Sequence, residues 1–188
     1  MKEIRFHGRA GQGMVTAAVI VANAVSLEGK YSQAFPFFGS EKRGPPVTSY
    51  CRIDDKPINI HEEIDRPDIV VVADASTLKE VDVCAGLKEN GIVIINTNRK
   101  PEQLKLKAKR VFTIDGTGIA LKHLGKPITN TVMLGALLKV TGIAKLENAL
   151  KALEKQFGSK LSKEMVEKNK KVVVECYDLV QLQEARAK

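Results

Sequence analysis

The chain has 188 residues, 44% hydrophobic and 28% charged, with a formal net charge of +8. This is ordinary globular usage, enough for one α/β domain spanning residues 1–188, and the positive balance favours an acidic partner. No apolar run approaches the ~20 residues of a membrane span, no signal-like apolar region opens the chain, and aromatics are only 5% with no Trp, so the expectation is a cytoplasmic protein that binds neither membrane nor nucleic acid.

"KEIRFHG" (2–8) reads as a first strand. "GMVTAAVIVANAVSLEG" (13–29) reads as a buried helix stopped by Gly29. Residues 30–46 read as a long loop, and "VTSYCRI" (47–53) alternates as a half-exposed strand. A tight turn at 54–56 and a short partner strand "PINI" (57–60) predict an antiparallel hairpin. "DIVVVAD" (68–74) is a continuous apolar run suited to a strand buried on both faces. Thr77 with Glu80 predicts a capping box for the next helix. "GIVIINT" (91–97) and "RVFTID" (110–115) are two more buried strands.

From Gly116 onward the pattern is helical: "NTVMLGALLKV" (130–140), "LENALKALEKQF" (146–157) ended by Gly158, and a long amphipathic helix over 162–185. The last places Met165, Val166, Val172, Val173, Cys176, Tyr177 and Val180 on one face. Alternating strands and helices with one hairpin predict a three-layer α/β/α sandwich around a mixed, mostly parallel sheet, with a helical C-terminal part.

Three stretches carry candidate function. "GRAGQG" joins the first strand to the first helix through Gly8, Arg9, Gly11, Gln12 and Gly13. Its G-x-x-G-x-G spacing is neither the dinucleotide fingerprint nor a Walker A loop. A helix N-terminus with an adjacent Arg and close-approach glycines can cradle an anion or a partner's backbone, and glycines also serve a plain tight turn; spacing leaves both open. "FPFFGSEKRGPP" holds Phe35, Phe37, Phe38, Gly39, Glu41, Arg43 and Gly44. Exposed Phe side chains need cover, so partner contact is favoured over catalysis, the alternative being that they fold back onto the core. No nucleophile–base set is visible, and no catalytic residue is assigned. Asp74 is the one acid suited to reading a ribose if the glycine turn served a nucleotide. Cys51, Cys84 and Cys176 are widely spaced with no CxxC, and His7, His61 and His123 match no metal spacing, so the chain is expected to hold neither a cluster nor a metal of its own.

"GRAGQG" after the first strand, "FGSEKRGPPV" leading into "TSYCRI", and "NTVMLGALLK" near residue 130 occur together in this order. The combination resembles the γ subunits of the 2-oxoacid:ferredoxin oxidoreductases, most closely those acting on pyruvate, over essentially the whole chain. The resemblance implies a complex that converts a 2-oxoacid and coenzyme A to acyl-CoA, carbon dioxide and reduced ferredoxin. It implies thiamine diphosphate, Mg2+ and [4Fe-4S] clusters on α, β and δ partner subunits, none held by this chain. It also implies that "GRAGQG" and "FGSEKRGPP" face the other subunits or coenzyme A.

Overall fold

The computed structural model describes residues 1–37 and 46–180. Its centre is one six-stranded sheet: β1 (Lys2–Arg9), β2 (Tyr31–Phe37), β3 (Pro46–Asp54), β4 (Ile69–Val72), β5 (Ile92–Asn96) and β6 (Arg110–Ile114), in the order β2-β3-β1-β4-β5-β6. The β1/β4, β4/β5 and β5/β6 pairs are parallel, with Phe6 opposite Val71 and Val71 opposite Ile94. The β1/β3 and β2/β3 pairs are antiparallel. Five α-helices lie among the described residues: α1 (Met14–Ser26), α2 (Gly116–Leu124), α3 (Asn130–Thr141), α4 (Leu146–Phe157) and α5 (Lys163–Leu179). The chain is an α/β sandwich with a mostly parallel sheet and a helical C-terminal region.

Side-chain alternation divides the two faces of the sheet. Ile4, Phe6, Cys51, Val71, Ile94 and Phe112 point to one side, where the helices cover them in one large core. Val70, Val72, Val93, Ile95 and Val111 point to the other, where 3-10 turns and loops cover them through Leu78, Val83, Leu87 and Leu104. The α3–α5 contact is close because Gly135 has no side chain: a Cβ there would lie 2.4 Å from the Val173 carbonyl oxygen. The expected face of α5 is the buried one, with Val166, Val172, Val173, Cys176 and Val180 inside. All three cysteines are buried.

Four expectations are corrected. Strand β3 does not pair with residues 57–60. It pairs with β1 on one edge and with β2 on the other, so much of the expected loop 30–46 is strand. Pro57 lacks an amide donor for a ladder. Instead, residues near 60–64 run across the second face, where Arg52 donates to the carbonyls of Ile60 and Glu63. Covered by α1 on one side and by this segment on the other, β3 is buried from Ser49 to Ile53 rather than half exposed. The capping box at Thr77 and Glu80 is also absent. Asp74 caps a 3-10 helix (Ala75–Lys79) by accepting from Ser76 N at 2.9 Å, and Glu80 turns away to Arg9.

The second face holds a polar arrangement at β1. The buried Arg5 guanidinium donates to the carbonyls of Ile64, Val83 and Ala85, fastening two covering loops, and its Nε donates to His7 Nε2 at 3.1 Å. His7 must be neutral to accept, and burial, with Arg5 beside it, lowers its pKa to about 4. Unfolding frees His7 to take up a proton below its ordinary pKa of about 6.5, which the folded state refuses until about pH 4. Stability supplied by neutral His7 is therefore complete above pH 6.5 and declines as pH falls from 6.5 towards 4, at up to about 1.4 kcal/mol per pH unit. Denaturant titrations across that window should show this slope in the wild type and a flatter one in His7→Gln, whose amide oxygen can still accept from Arg5. Equal slopes would remove His7 from the account.

Candidate functional site

Adjacent parallel strands β1 and β4 send the chain to opposite faces. After β1 the chain turns into α1 on the helical face; after β4 it enters the 3-10 helix on the other. In open α/β sheets such a divergence opens a crevice at the carboxyl ends of the strands, where ligands bind. The glycine turn "GRAGQG" and Asp74 meet at this point.

The turn is fastened from within. Arg9 N donates to Gln12 Oε1 at 2.7 Å, and Gln12 N returns a bond to Arg9 O at 3.1 Å. Gln12 Nε2 then crosses to Asp74 Oδ2 at 3.0 Å, linking the end of β1 to the end of β4. The Arg9 side chain lies over the 3-10 helix, donating to Ser76 Oγ and Glu80 Oε1, with Asp74 Oδ2 3.6 Å from its Nε. Partial burial would raise the Asp74 carboxyl, but bonds from Ser76 and Gln12 and the charge of Arg9 outweigh it and hold the carboxylate ionised below its usual range.

The three glycines do different things. A Cβ at Gly8 would lie 2.8 Å from the Met14 side chain, and one at Gly13 would lie 2.6 Å from Asn130 Nδ2. Gly13 is also left-handed, at φ 74°. Gly11 is left-handed at φ 86° with nothing within 4 Å of its Cβ position. Two glycines thus answer to the fold, and Gly11 borders open space. Among the described residues the start of α1 beside it has no side-chain cap and no acidic residue in its first turn, so the partial positive charge of the helix end lies uncapped beside the carboxyl end of β1.

Of the remaining expected site residues, Phe37 lies at the end of edge strand β2 and is 40% exposed. Phe35 stacks on Tyr50 at 5.2 Å and under the Arg52 guanidinium, so it belongs to the fold. Phe38, Gly39, Glu41, Arg43 and Gly44 lie outside the described residues. Sequence reasoning missed Asn96, at the end of β5. Its Oδ1 accepts from Gly116 N and Thr117 N, and its Nδ2 donates to Ala73 O, so it locks the carboxyl ends of β4 and β5 to the start of α2. The only sequence signal was an Asn at the end of an apolar strand. Among the described residues no group of three or more His, Cys, Asp or Glu gathers as a metal site, and no helix is long and apolar enough to cross a membrane.

Among the described residues, a glycine turn thus joins β1 to a helix start without a side-chain cap, within a mostly parallel α/β fold. The chain belongs to the pyruvate ferredoxin/flavodoxin oxidoreductase family, which it matches over residues 3–179. It is 54% identical to the pyruvate/ketoisovalerate oxidoreductases common subunit gamma of Pyrococcus abyssi, over 97% of this chain and 98% of that one. It is 51% identical to the pyruvate synthase subunit PorC of Methanocaldococcus jannaschii, over 95% and 96%. The crystal structure of pyruvate oxidoreductase subunit PORC from Thermotoga maritima superposes with a TM-score of 0.83 at 38% identity, covering 96% of this chain and 97% of that one.

The geometry separates the glycines experimentally. Gly13→Ala combines a left-handed Cβ, about 1–2 kcal/mol, with a collision against Asn130, whereas Gly11→Ala carries the conformational cost alone. Thermal unfolding should show Gly13→Ala losing clearly more stability than Gly11→Ala; equal losses would mean that Asn130 moves aside freely.

Proposed function

We propose that the chain is the γ subunit of a multisubunit 2-oxoacid:ferredoxin oxidoreductase acting on pyruvate, in which it completes the assembly and forms part of the coenzyme A side of the active site. Membership of the family over residues 3–179 carries this reading. The relatives named for both pyruvate and ketoisovalerate support a second one, in which the same subunit also serves a branched 2-oxoacid. The proposed partners are the α, β and δ subunits of the complex, with ferredoxin as electron acceptor and coenzyme A as co-substrate. In this reading thiamine diphosphate with Mg2+ supplies the decarboxylation chemistry, and [4Fe-4S] clusters carry the electrons, on the partner subunits in the cytoplasm.

This chain contributes position and field rather than proton transfer. The open N–H groups at the start of α1 suit a phosphate or carboxylate, and Gly11 leaves room for it. Arg9 is committed to Glu80, Ser76 and Asp74, so its first role is to hold the turn. Phe37, with Phe38, Gly39, Glu41, Arg43 and Gly44 following in sequence, is assigned to the subunit contact.

Co-expression with the partner subunits should give pyruvate-dependent ferredoxin reduction that the isolated chain lacks; activity from the isolated chain would overturn the subunit reading. Within the complex, Gly11→Asn tests the crevice, because Asn tolerates a left-handed backbone and fills the space. The KM for coenzyme A should rise about ten-fold or more, with the unfolding midpoint of the isolated chain little changed. An unaltered KM in an assembled complex would move coenzyme A elsewhere. Phe37→Ser with Phe38→Ser should weaken assembly, since each buried Phe ring contributes roughly 1.5–3 kcal/mol; normal assembly would exclude the contact.

A further inference from the structure

A second concavity opens at the carboxyl ends of β5 and β6, a cleft of about 560 Å³ between the segment after β5, the start of α2 and the end of α5. Its apolar surface comes from Ile114, Ile119 and Leu179, the last 56% exposed. Its rim is cationic, with Arg99, Lys100 and Lys122. Lys122 is paired with Glu175, which also meets His123. Arg99 donates to the Gln103 carbonyl, and among the described residues neither Arg99 nor Lys100 has a carboxylate partner.

The cleft is not an anion cradle. The N-terminal amides of α2 are already bonded, Gly118 N to the Asp115 carboxylate and Gly116 N and Thr117 N to Asn96 Oδ1. A small phosphate would find that helix end closed and the Asp115 carboxylate lining the wall. What remains is an exposed apolar floor beside two cations that are not ion-paired among the described residues, on a chain of net charge +8. That combination fits a larger occupant, which can lay an apolar side chain on the floor and carboxylates against the rim.

We propose that this cleft docks an acidic segment with an apolar side chain from a partner subunit of the complex. The inference rests on the subunit reading above and adds a second contact surface, on the same edge of the sheet as the glycine turn but beyond β4, at the ends of β5 and β6. The surface charge of the rim makes the contact dependent on salt.

The test is co-purification of the complex with tagged Arg99→Glu/Lys100→Glu chain over a range of salt concentrations, beside Leu179→Ser and the wild type. The charge-reversed chain should bind its partners about ten-fold or more weakly, because like charges then face each other. Leu179→Ser should weaken binding with little change in its salt dependence. All three isolated chains should unfold at similar temperatures, since these side chains are exposed. Wild-type affinity and salt dependence in both variants would overturn the docking site. So would micromolar binding of inorganic pyrophosphate to the isolated wild-type chain that the charge reversal abolishes, which would make the cleft a small-anion site. If the wild type itself does not assemble with those subunits, it is the subunit reading that fails.

Discussion

A side chain at Gly13 would have to displace Asn130. Asn130 Nδ2 stands 2.6 Å from where the Gly13 Cβ would be, and the backbone there is left-handed. This contact seats the first turn of α1 on the first turn of α3, and much else follows from it. Asn130 opens "NTVMLGALLK", so two of the three stretches that carried the family resemblance touch at this point. A left-handed Gly as N-cap brings no side chain to satisfy the first amides of α1. The same constraint that packs two helices together therefore leaves one helix start open beside the crevice between β1 and β4. The internal bonds of Arg9, Gln12 and Asp74 then hold the turn in register with both strands.

The covering of the sheet is asymmetric, and arginine explains how this is tolerated. The helical face closes mainly with apolar side chains, with a few buried polar ones such as Thr131, whose hydroxyl donates to Asn169. Beneath β1 and β3 the second face is closed by irregular backbone, whose carbonyls need donors if buried. Arg5 supplies Ile64, Val83 and Ala85, and Arg52 supplies Ile60 and Glu63. Each guanidinium offers five donors in a fixed fork, so one side chain can fasten two loops. Burial lowers the pKa of Arg5, the expected direction for a cation taken out of water. The neutral His7 next to it fits the same economy, since a charged imidazole there would meet the guanidinium directly.

Much of this was legible in the sequence where one strong pattern governed one element. The apolar runs at 68–74, 91–97 and 110–115 became the parallel strands, and the periodicity after Gly116 became four helices. Strand β2 was hidden by its own packing. Tyr31, Gln33, Phe35 and Phe37 occupy one face, while Ser32, Ala34 and Pro36 occupy the other, where α1 lies so close that Ser32 Oγ reaches Ala22 O at 2.8 Å. Small residues chosen for that approach erase the alternation that marks a strand, and a Pro lowers its score further. Asn96 and Arg5 were missed for a related reason. Their work is done for backbone groups that are distant in sequence, and a single sequence carries no trace of those partners. In the glycine turn, Arg9 suggested a ligand, but its charge also meets Asp74 and Glu80, which lie far along the chain.

The two helix starts at the carboxyl edge, treated oppositely by the sequence, explain how one edge can present two kinds of surface. At α1, among the described residues, no side chain caps the first amides, acidic residues are absent from the first turn, and nothing stands within 4 Å of the Cβ position of Gly11. At α2 Asp115 and Asn96 close the amides completely, and the cations lie instead on the loop after β5 and on Lys122. An uncapped helix end acts at short range and rewards a compact anion that fits its geometry. Flexible cations around an exposed apolar floor act over about a Debye length and reward extended complementary charge with little geometric demand. The difference lies in where the capping groups are: supplied by Asp115 and Asn96 at α2, and not found among the described residues at α1.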